Sequence, residues 1–177
     1  MKLNESAMVL VFLALGGLLS GATAAASPKS IAILDFEILD DTRQYNTSEV
    51  NDAQDQRLKK VTEALKHELS ERGLYHVLDT SPVADRIVAA TSGETFYGCN
   101  GCEVEIAKTL GADRVAISWV QKVSNLILNI NIAVKDVATG EVIYTKSVDL
   151  RGNTDTSWLR GIRYMVDSIV EKKQQLK

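Results

Sequence analysis

Two cysteines, Cys99 and Cys102, are the residues in this sequence whose type and spacing are best suited to chemistry. Two thiols separated by two residues close a small ring when they are oxidised, and a helix that begins at the second cysteine favours the thiolate form. The pair therefore has three interpretations: a structural disulfide, a thiol–disulfide redox centre, or part of a zinc site.

The surrounding sequence favours the structural disulfide. A thioredoxin-like enzyme places its CxxC after the first strand and a cis-proline downstream, whereas Pro82 precedes the pair and no proline follows it. A zinc site needs four ligands, and the two histidines, His67 and His76, lie on other predicted elements. A disulfide between Cys99 and Cys102 that holds a glycine-containing turn is our leading prediction, and redox activity is kept as an alternative.

Acidic side chains are concentrated just after the first apolar run, at Asp35, Glu37, Asp40, Asp41, Asp52 and Asp55. Their oxygen atoms suit a hard cation such as Ca²⁺, but no register satisfies the alternating donors, the glycine and the final glutamate of an EF-hand loop. We interpret residues 37–55 as a long, solvated surface loop. Binding of a metal ion or a small molecule by this loop is an alternative function.

Motifs of the common enzyme classes are missing from the sequence. It contains no GxSxG, no HExxH, no glycine-rich phosphate loop and no dinucleotide fingerprint, and Asp35 has no identifiable partner base or nucleophile. The sequence therefore predicts a protein that is not an enzyme, with no catalytic residues, no cofactor and no bound metal.

The helices and strands that must position these residues can be recognised where the spacing of apolar residues along the chain changes. Residues 31–36 are almost wholly apolar, which predicts a buried first strand, and residues 75–78 predict a second strand parallel to it. Between them, before Gly73, a helix is predicted by apolar residues at helical spacing: Leu58, Val61, Leu65 and Leu69.

In the second half, residues 81–88 and 102–110 predict two short helices. Residues 115–123, 126–135 and 142–150 alternate between apolar and polar, which predicts three strands of an antiparallel meander. A C-terminal helix is predicted by the spacing of Trp158, Ile162, Met165 and Ile169.

Together these elements predict a two-layer α/β (α+β) sandwich with helices on one face of a mixed sheet of about five strands. The sheet should be parallel at its β-α-β start and antiparallel in the later meander. The face beneath the helices is expected to consist of Val115, Ile117, Trp119, Leu128, Ile130, Ile132 and Val142.

The opposite, solvent-exposed face should carry Asn129, Asn131, Thr145 and Ser147, with Asp149 beside them. Polar residues on a half-exposed sheet are common without any function. A flat and rigid surface is nevertheless suited to binding another protein, so we predict these four as partner-binding residues.

Composition and charge limit the classes of function. Of 177 residues, 45% are hydrophobic and 24% are charged, which is the balance of a soluble globular protein. The 20 basic and 23 acidic residues give a net charge of −3, so there is no basic field that would bind nucleic acid. This length and composition predict one domain.

The first 26 residues predict a cleaved secretory signal. Lys2 precedes an apolar run over residues 7–19, which is shorter than the roughly 20 residues that span a bilayer, and small residues at Ala24 and Ala26 suit signal peptidase. No cysteine follows the run to accept a lipid. We expect a single domain over residues 27–177 in the oxidising periplasm of a Gram-negative bacterium, without stable membrane insertion after cleavage.

Several segments resemble known families. Residues 31–36 and the stretch from Ala112-Asp113-Arg114-Val115 to Thr139-Gly140-Glu141-Val142 resemble the N-terminal domain of TolB and related CsgG-like and LpoB-like periplasmic domains. The segment Cys99-Asn100-Gly101-Cys102-Glu103, residues 119–129 and residues 151–155 resemble an uncharacterised family of small secreted bacterial proteins.

This resemblance implies an envelope domain that docks to other proteins and has no catalytic residue to transfer. The CxxC turn is a departure from the TolB-like group. The sequence thus predicts a non-enzymatic periplasmic accessory or adaptor protein that binds another envelope protein.

Overall fold

Helices and strands follow one another in the order that the sequence predicts, with one strand added. The computed structural model describes residues 27–93 and 95–175, so the predicted signal sequence lies outside the described residues. The elements are β1 (Ser30–Ile33), β2 (Glu37–Leu39), α1 (Ser48–Glu71), β3 (His76–Val77), α2 (Ala84–Thr91), α3 (Cys102–Thr109), β4 (Arg114–Lys122), β5 (Ile127–Asp136), β6 (Val142–Arg151) and α4 (Asp155–Gln175). Short 3₁₀ helices lie at Arg43–Tyr45 and Ser81–Val83. Within the described ranges, no helix has the length and apolar character needed to cross a membrane.

The strands form one open, mixed sheet in the order β3-β1-β4-β5-β6, with β2 also paired to β4. β1 runs parallel to β3 and β4, and β4, β5 and β6 form the antiparallel meander. This confirms the predicted fold class, a mixed α/β sheet with a parallel start. β6 is an edge strand of ten residues.

Residues 37–55 are largely structured, so the prediction of a long loop is wrong. β2 pairs with β4, and α1 begins at Ser48, well before Leu58, the first residue of its predicted apolar stripe. The Thr47 hydroxyl accepts a hydrogen bond from the Val50 N–H at 3.5 Å, which caps the helix. Because the first turns of α1 are mostly exposed, apolar periodicity does not mark them, and the cap is the local signal.

The sheet carries a separate apolar core on each face. The first face packs against α1 and α4, and its buried residues include Ile31, Ile33, Leu65, Ile130, Ile132, Trp158 and Ile162. The second face packs against α2, α3 and the turn at Ser81–Val83, and its buried residues include Ala32, Leu34, Phe96, Val104, Ile106, Val115 and Ile117. The expectation that helices lie on one face only is therefore corrected.

The strand register explains why the predicted apolar face was also wrong. Ile117 pairs with Ala133, whereas Ile132 pairs with Ser118. Since paired residues share a face, Ile117 and Ile132 point to opposite sides of the sheet. Val142, which was assigned to the core, is 52% exposed. Alternation within one strand does not reveal which of its faces matches which face of the next strand.

α4 lies close against β6 because residue 161 is a glycine. A Cβ atom at Gly161 would lie 2.6 Å from the Leu150 Cδ2 atom. Trp158 is fully buried, and its indole N–H donates to the Asn153 Oδ1 atom at 3.1 Å. Arg57 of α1 donates to the same oxygen at 2.9 Å. The start of α4 is thereby fixed to α1 and to the end of β6.

Candidate functional site

The second face is only partly covered. Over β1 and β4 it lies beneath α2 and α3, whereas among the described residues its β5–β6 part is open, with Thr145, Ser147 and Asp149 exposed. Asn131 pairs with Ser147, Asn129 with Asp149, and Ala133 with Thr145. The four predicted partner-binding residues therefore share one face of two neighbouring strands. We call the group Asn129, Asn131, Thr145, Ser147 and Asp149 the open surface.

Asn131 is less accessible than predicted, with an exposed fraction of 9%. Its Nδ2 atom donates to the Asn129 Oδ1 atom at 3.1 Å and to the Trp119 carbonyl oxygen at 3.4 Å. The expectation that Asn131 is solvent-exposed is corrected. Asn129, Thr145 and Ser147 form the accessible part of the predicted set.

An aromatic pair at the border of the open surface was missed by sequence reasoning. The ring centroids of Tyr97 and Trp119 are 4.5 Å apart, with their planes tilted by 44°, and Tyr97 is 54% exposed. Trp119 pairs with Asn131 in the sheet, so it lies on the same face. The sequence pattern assigns Trp119 to the apolar side because it falls on an alternating apolar stripe.

The loop that carries Tyr97 is held by a carboxylate from β2. Glu37 Oε1 accepts from the Phe96 N–H at 2.8 Å, and Glu37 Oε2 accepts from the Tyr97 N–H at 3.3 Å. Burial raises the pKa of Glu37, and these two hydrogen bonds offset only part of that rise. Glu37 thus has a structural role and is not free to ligate an ion.

The cysteine pair closes the same loop immediately before α3. Cys99 and Cys102 are joined by a disulfide, with their Cα atoms 6.0 Å apart. The Cys102 N–H lies 2.9 Å from the Cys99 Sγ atom. Gly101 has a φ of 101°, a backbone conformation that residues other than glycine rarely adopt. The ring is therefore shaped by the glycine and lies at the N-terminus of α3.

A buried ion pair lies directly beneath this disulfide. The Glu103 side chain is 0% exposed, and its Oε1 atom lies 2.5 Å from the Lys135 Nζ atom on β5. Its Oε2 atom lies 3.4 Å from the Cys99 Sγ atom. Cys99, Cys102 and Glu103 hold their ligand atoms within 4.8 Å of one another, and they are the one such group of potential metal ligands in the described part of the chain.

Two of the acidic residues that suggested a cation site are instead paired with basic side chains. Asp40 contacts the Lys122 Nζ atom at 2.7 Å, and both side chains are buried, at 0% and 4% exposure. Asp55 forms a 2.8 Å ion pair with Arg43. The geometry therefore gives no support to an ion bound through these carboxylates.

The buried Asp40 keeps its charge because its partners favour it. Burial raises the pKa of Asp40, but the hydrogen bonds from Lys122 and Thr42 outweigh burial and leave the pKa below its usual value. This ion pair joins the end of β2 to the end of β4 on the first face.

Comparison with known families agrees with this architecture. Residues 29–170 match the family DUF3280, described as a protein of unknown function (DUF2380). The chain belongs to this family. The resemblance to an uncharacterised family is thereby confirmed. No curated protein matches the sequence.

Solved structures with a similar fold come from several bacteria. The structure of LpoB from Escherichia coli has a TM-score of 0.52 at 15% identity, and the match covers 72% of this chain and 58% of LpoB. The lipoprotein GNA1162 from Neisseria meningitidis has a TM-score of 0.50 at 16% identity over 83% of this chain and 97% of that one. The PelC dodecamer from Paraburkholderia phytofirmans has a TM-score of 0.52 at 11% identity over 82% of this chain and 90% of that one. These similarities show the fold that the sequence predicted as LpoB-like.

Proposed function

We propose that this protein is a non-enzymatic accessory or adaptor of the bacterial envelope, acting in the periplasm, and that it binds another envelope protein through the open surface. The observation that carries the proposal is the uneven covering of the second face. Residues of β5 and β6 expose hydroxyl and amide groups there, while the same face over β1 and β4 lies beneath helices.

The chemistry of the open surface is suited to a protein partner. Asn129, Thr145 and Ser147 offer uncharged donors and acceptors on a rigid two-strand platform. Tyr97, whose ring is half exposed beside Trp119, supplies the type of aromatic group that often dominates binding energy at interfaces. A partner with an uncharged polar surface and a pocket for one aromatic ring fits this combination.

Two further observations support the proposal. The predicted leader over residues 1–26 would export the chain. The fold is shared with LpoB and with the lipoprotein GNA1162, and PelC of the same fold assembles as a dodecamer. The acidic alternative over residues 37–55 loses its basis because Asp40 and Asp55 are occupied by basic partners.

The experiment compares partner recovery between two exposed positions. Ser147→Arg places a long charged side chain on the open surface, and Ser70→Arg places the same side chain on the exposed side of α1. Both variants should fold, because substitutions of solvent-facing residues usually change stability by about 0.5 kcal/mol or less. Tagged proteins are purified from the periplasm after cross-linking and their partners are quantified by mass spectrometry.

We expect Ser147→Arg to lower the recovery of one specific envelope protein about tenfold, since a buried unpaired charge costs on the order of 1–3 kcal/mol at an interface. Ser70→Arg should leave recovery unchanged. Equal recovery from both variants would show that the partner binds elsewhere. Asn131→Arg is not a suitable test, because Asn131 is buried and its substitution reports on folding.

A further inference from the structure

We propose that the Cys99–Cys102 disulfide is redox-active and exchanges with the disulfides and thiols of other exported proteins, with Cys99 as the nucleophilic sulfur and Glu103 as its proton acceptor. Each protein exchanges one electron pair with a partner and is itself converted, so the step is stoichiometric, is compatible with a non-enzymatic docking function, and uses a different part of the second face. The sequence left it as an alternative, and three structural observations now support it.

The first observation concerns the surroundings of the Cys99 sulfur. The Cys102 N–H lies 2.9 Å from Cys99 Sγ, and the pair lies at the N-terminus of α3. An N–H donor and a helix N-terminus both favour the thiolate over the thiol. Cys99 is half-buried, so the residue is not enclosed in the core.

The second observation is the buried carboxylate that contacts the same sulfur. Glu103 Oε2 lies 3.4 Å from Cys99 Sγ, at the distance at which a thiol would donate its proton to it. A disulfide that only braces a turn gains nothing from a fully buried carboxylate, and burying an ion pair costs desolvation energy. Lys135, 2.5 Å from the other oxygen, offsets the negative charge that would oppose a thiolate at Cys99.

The third observation is the size of the ring. Only Asn100 and Gly101 separate the cysteines. A disulfide that closes so short a loop removes little conformational entropy from the unfolded chain. It therefore adds little to the free energy of unfolding. Reduction of this disulfide therefore costs the fold little stability, as a redox-active pair requires.

The proposed reaction is an exchange in which the protein oxidises or reduces a partner. Starting from the dithiol, the Cys99 thiol transfers its proton to Glu103 Oε2, and the thiolate attacks one sulfur of the partner's disulfide. A bond forms between Cys99 and the partner, and the partner's second sulfur leaves as a thiolate.

Cys102, having lost its proton to solvent, then attacks Cys99 Sγ. The Cys99–Cys102 bond forms again, and the first partner sulfur is released. The pair loses two electrons and two protons, and the partner gains them. Reversal of these steps oxidises a partner's dithiol.

The test uses the protein exported from the full-length chain, reduced and then mixed with oxidised glutathione. Exchange is stopped by alkylation and followed by mass spectrometry. Glu103→Gln keeps the shape of the side chain and removes the proton acceptor. Glu105→Gln is the matched control, because Glu105 lies on the same helix, is exposed and pairs only with Lys108 in the described structure.

We expect Glu103→Gln to slow exchange about a hundredfold, the lower end of general acid–base effects, and Glu105→Gln to change the rate less than about twofold. Far-UV circular dichroism establishes that both variants are folded. Equal rates for the wild type and the two folded variants would overturn the role of Glu103.

A measurement on the wild type alone decides the case if Glu103→Gln does not fold. Iodoacetamide alkylation of the reduced protein across a range of pH should modify Cys99 before Cys102, with a midpoint below that of a free thiol at about pH 8.5. The charged groups that face the pair are Glu103 from α3 and Lys135 from β5, with Glu37 of β2 holding the preceding loop.

Alkylation of Cys102 first, or with the midpoint of a free thiol, would contradict the assignment. A reduced protein that binds Zn²⁺ in a 1:1 complex and does not react with oxidised glutathione would also contradict it, since Cys99, Cys102 and Glu103 would then form a metal site.

Discussion

The two faces of the sheet differ in how they are covered and in what they carry. The first face lies against α1 and α4, which are 24 and 21 residues long, and its core includes Trp158 at zero exposure. The second lies against α2 and α3, of eight residues each, and leaves β5 and β6 open. The cysteine pair, the Glu103–Lys135 ion pair and the open surface are all on the second face. The first face therefore carries the longer helices and the larger apolar core, and the second face carries the disulfide, the Glu103–Lys135 ion pair and the exposed polar side chains.

The largest effect is expected from matched truncations in the two cores. Ile162→Ala on α4 removes a fully buried side chain from the first core, and Ile106→Ala on α3 removes the same atoms from the second core. We expect losses of about 4 kcal/mol for Ile162→Ala and about 2 kcal/mol for Ile106→Ala, because the smaller layer relaxes more easily around a cavity. Urea unfolding of both variants measures the difference. Equal losses would show that the two cores are energetically equivalent.

The next effect comes from the buried ion pair on the first face. Asp40→Asn leaves the Lys122 ammonium without its counter-ion at 4% exposure. Removing one partner of a buried pair costs about 3 kcal/mol. Urea unfolding at neutral pH checks this value, and Asp41→Asn, at an exposed neighbouring position, is the control.

Acid unfolding sharpens the same comparison because Glu37 in β2 and Asp40, the residue directly after β2, are carboxylates with pKa values shifted in opposite directions. The lowered pKa of Asp40 contributes stability that is present above the unfolded-state value of about 3.9 and is lost as the pH falls through the folded pKa. The gap between the wild type and Asp40→Asn should therefore narrow below about pH 4. Glu37 acts with the opposite sign, since its raised pKa makes protonation favour the folded state. A gap that widens on acidification would contradict the assignment for Asp40.

The smallest effect is expected on the open surface. Thr145→Ala and Ser147→Ala remove exposed hydroxyl groups that have no side-chain hydrogen bond in the described structure. We expect each change in stability to be about 0.5 kcal/mol or less. Thermal unfolding followed by circular dichroism is sufficient to detect a larger loss, which would show that this surface is needed for folding.

Much of the architecture was predictable because its signals are local. The meander follows from alternation and from turns such as the one at Gly140, which has a φ of 75°. The helix that begins at Cys102 and the parallel start of the sheet follow from periodicity and connection length. The second helical layer was not assigned to its face because α2 and α3 are short and their apolar residues do not indicate which side of the sheet they cover.

The candidate sites were harder to predict because they depend on contacts between distant residues. Cys99 and Cys102 were identified by spacing, but Lys135 lies 32 residues after Glu103, and its approach follows from the register of β5. In the same way, Asn131 was placed on the correct face but with the wrong exposure, because the carbonyl of Trp119 that it contacts belongs to the adjacent strand.

The free edge of β6 has a consequence for aggregation at high protein concentration. An unpaired edge strand is a template onto which a second chain can add, and repeated addition leads to insoluble aggregates. In β6, Lys146, Asp149 and Arg151 place charges of both signs along the strand, and Lys146 lies over the ring of Tyr164 on α4. Charged side chains on an edge disfavour stacking of further strands. The strand that carries the open surface thus also carries charges at the position where a further strand would add.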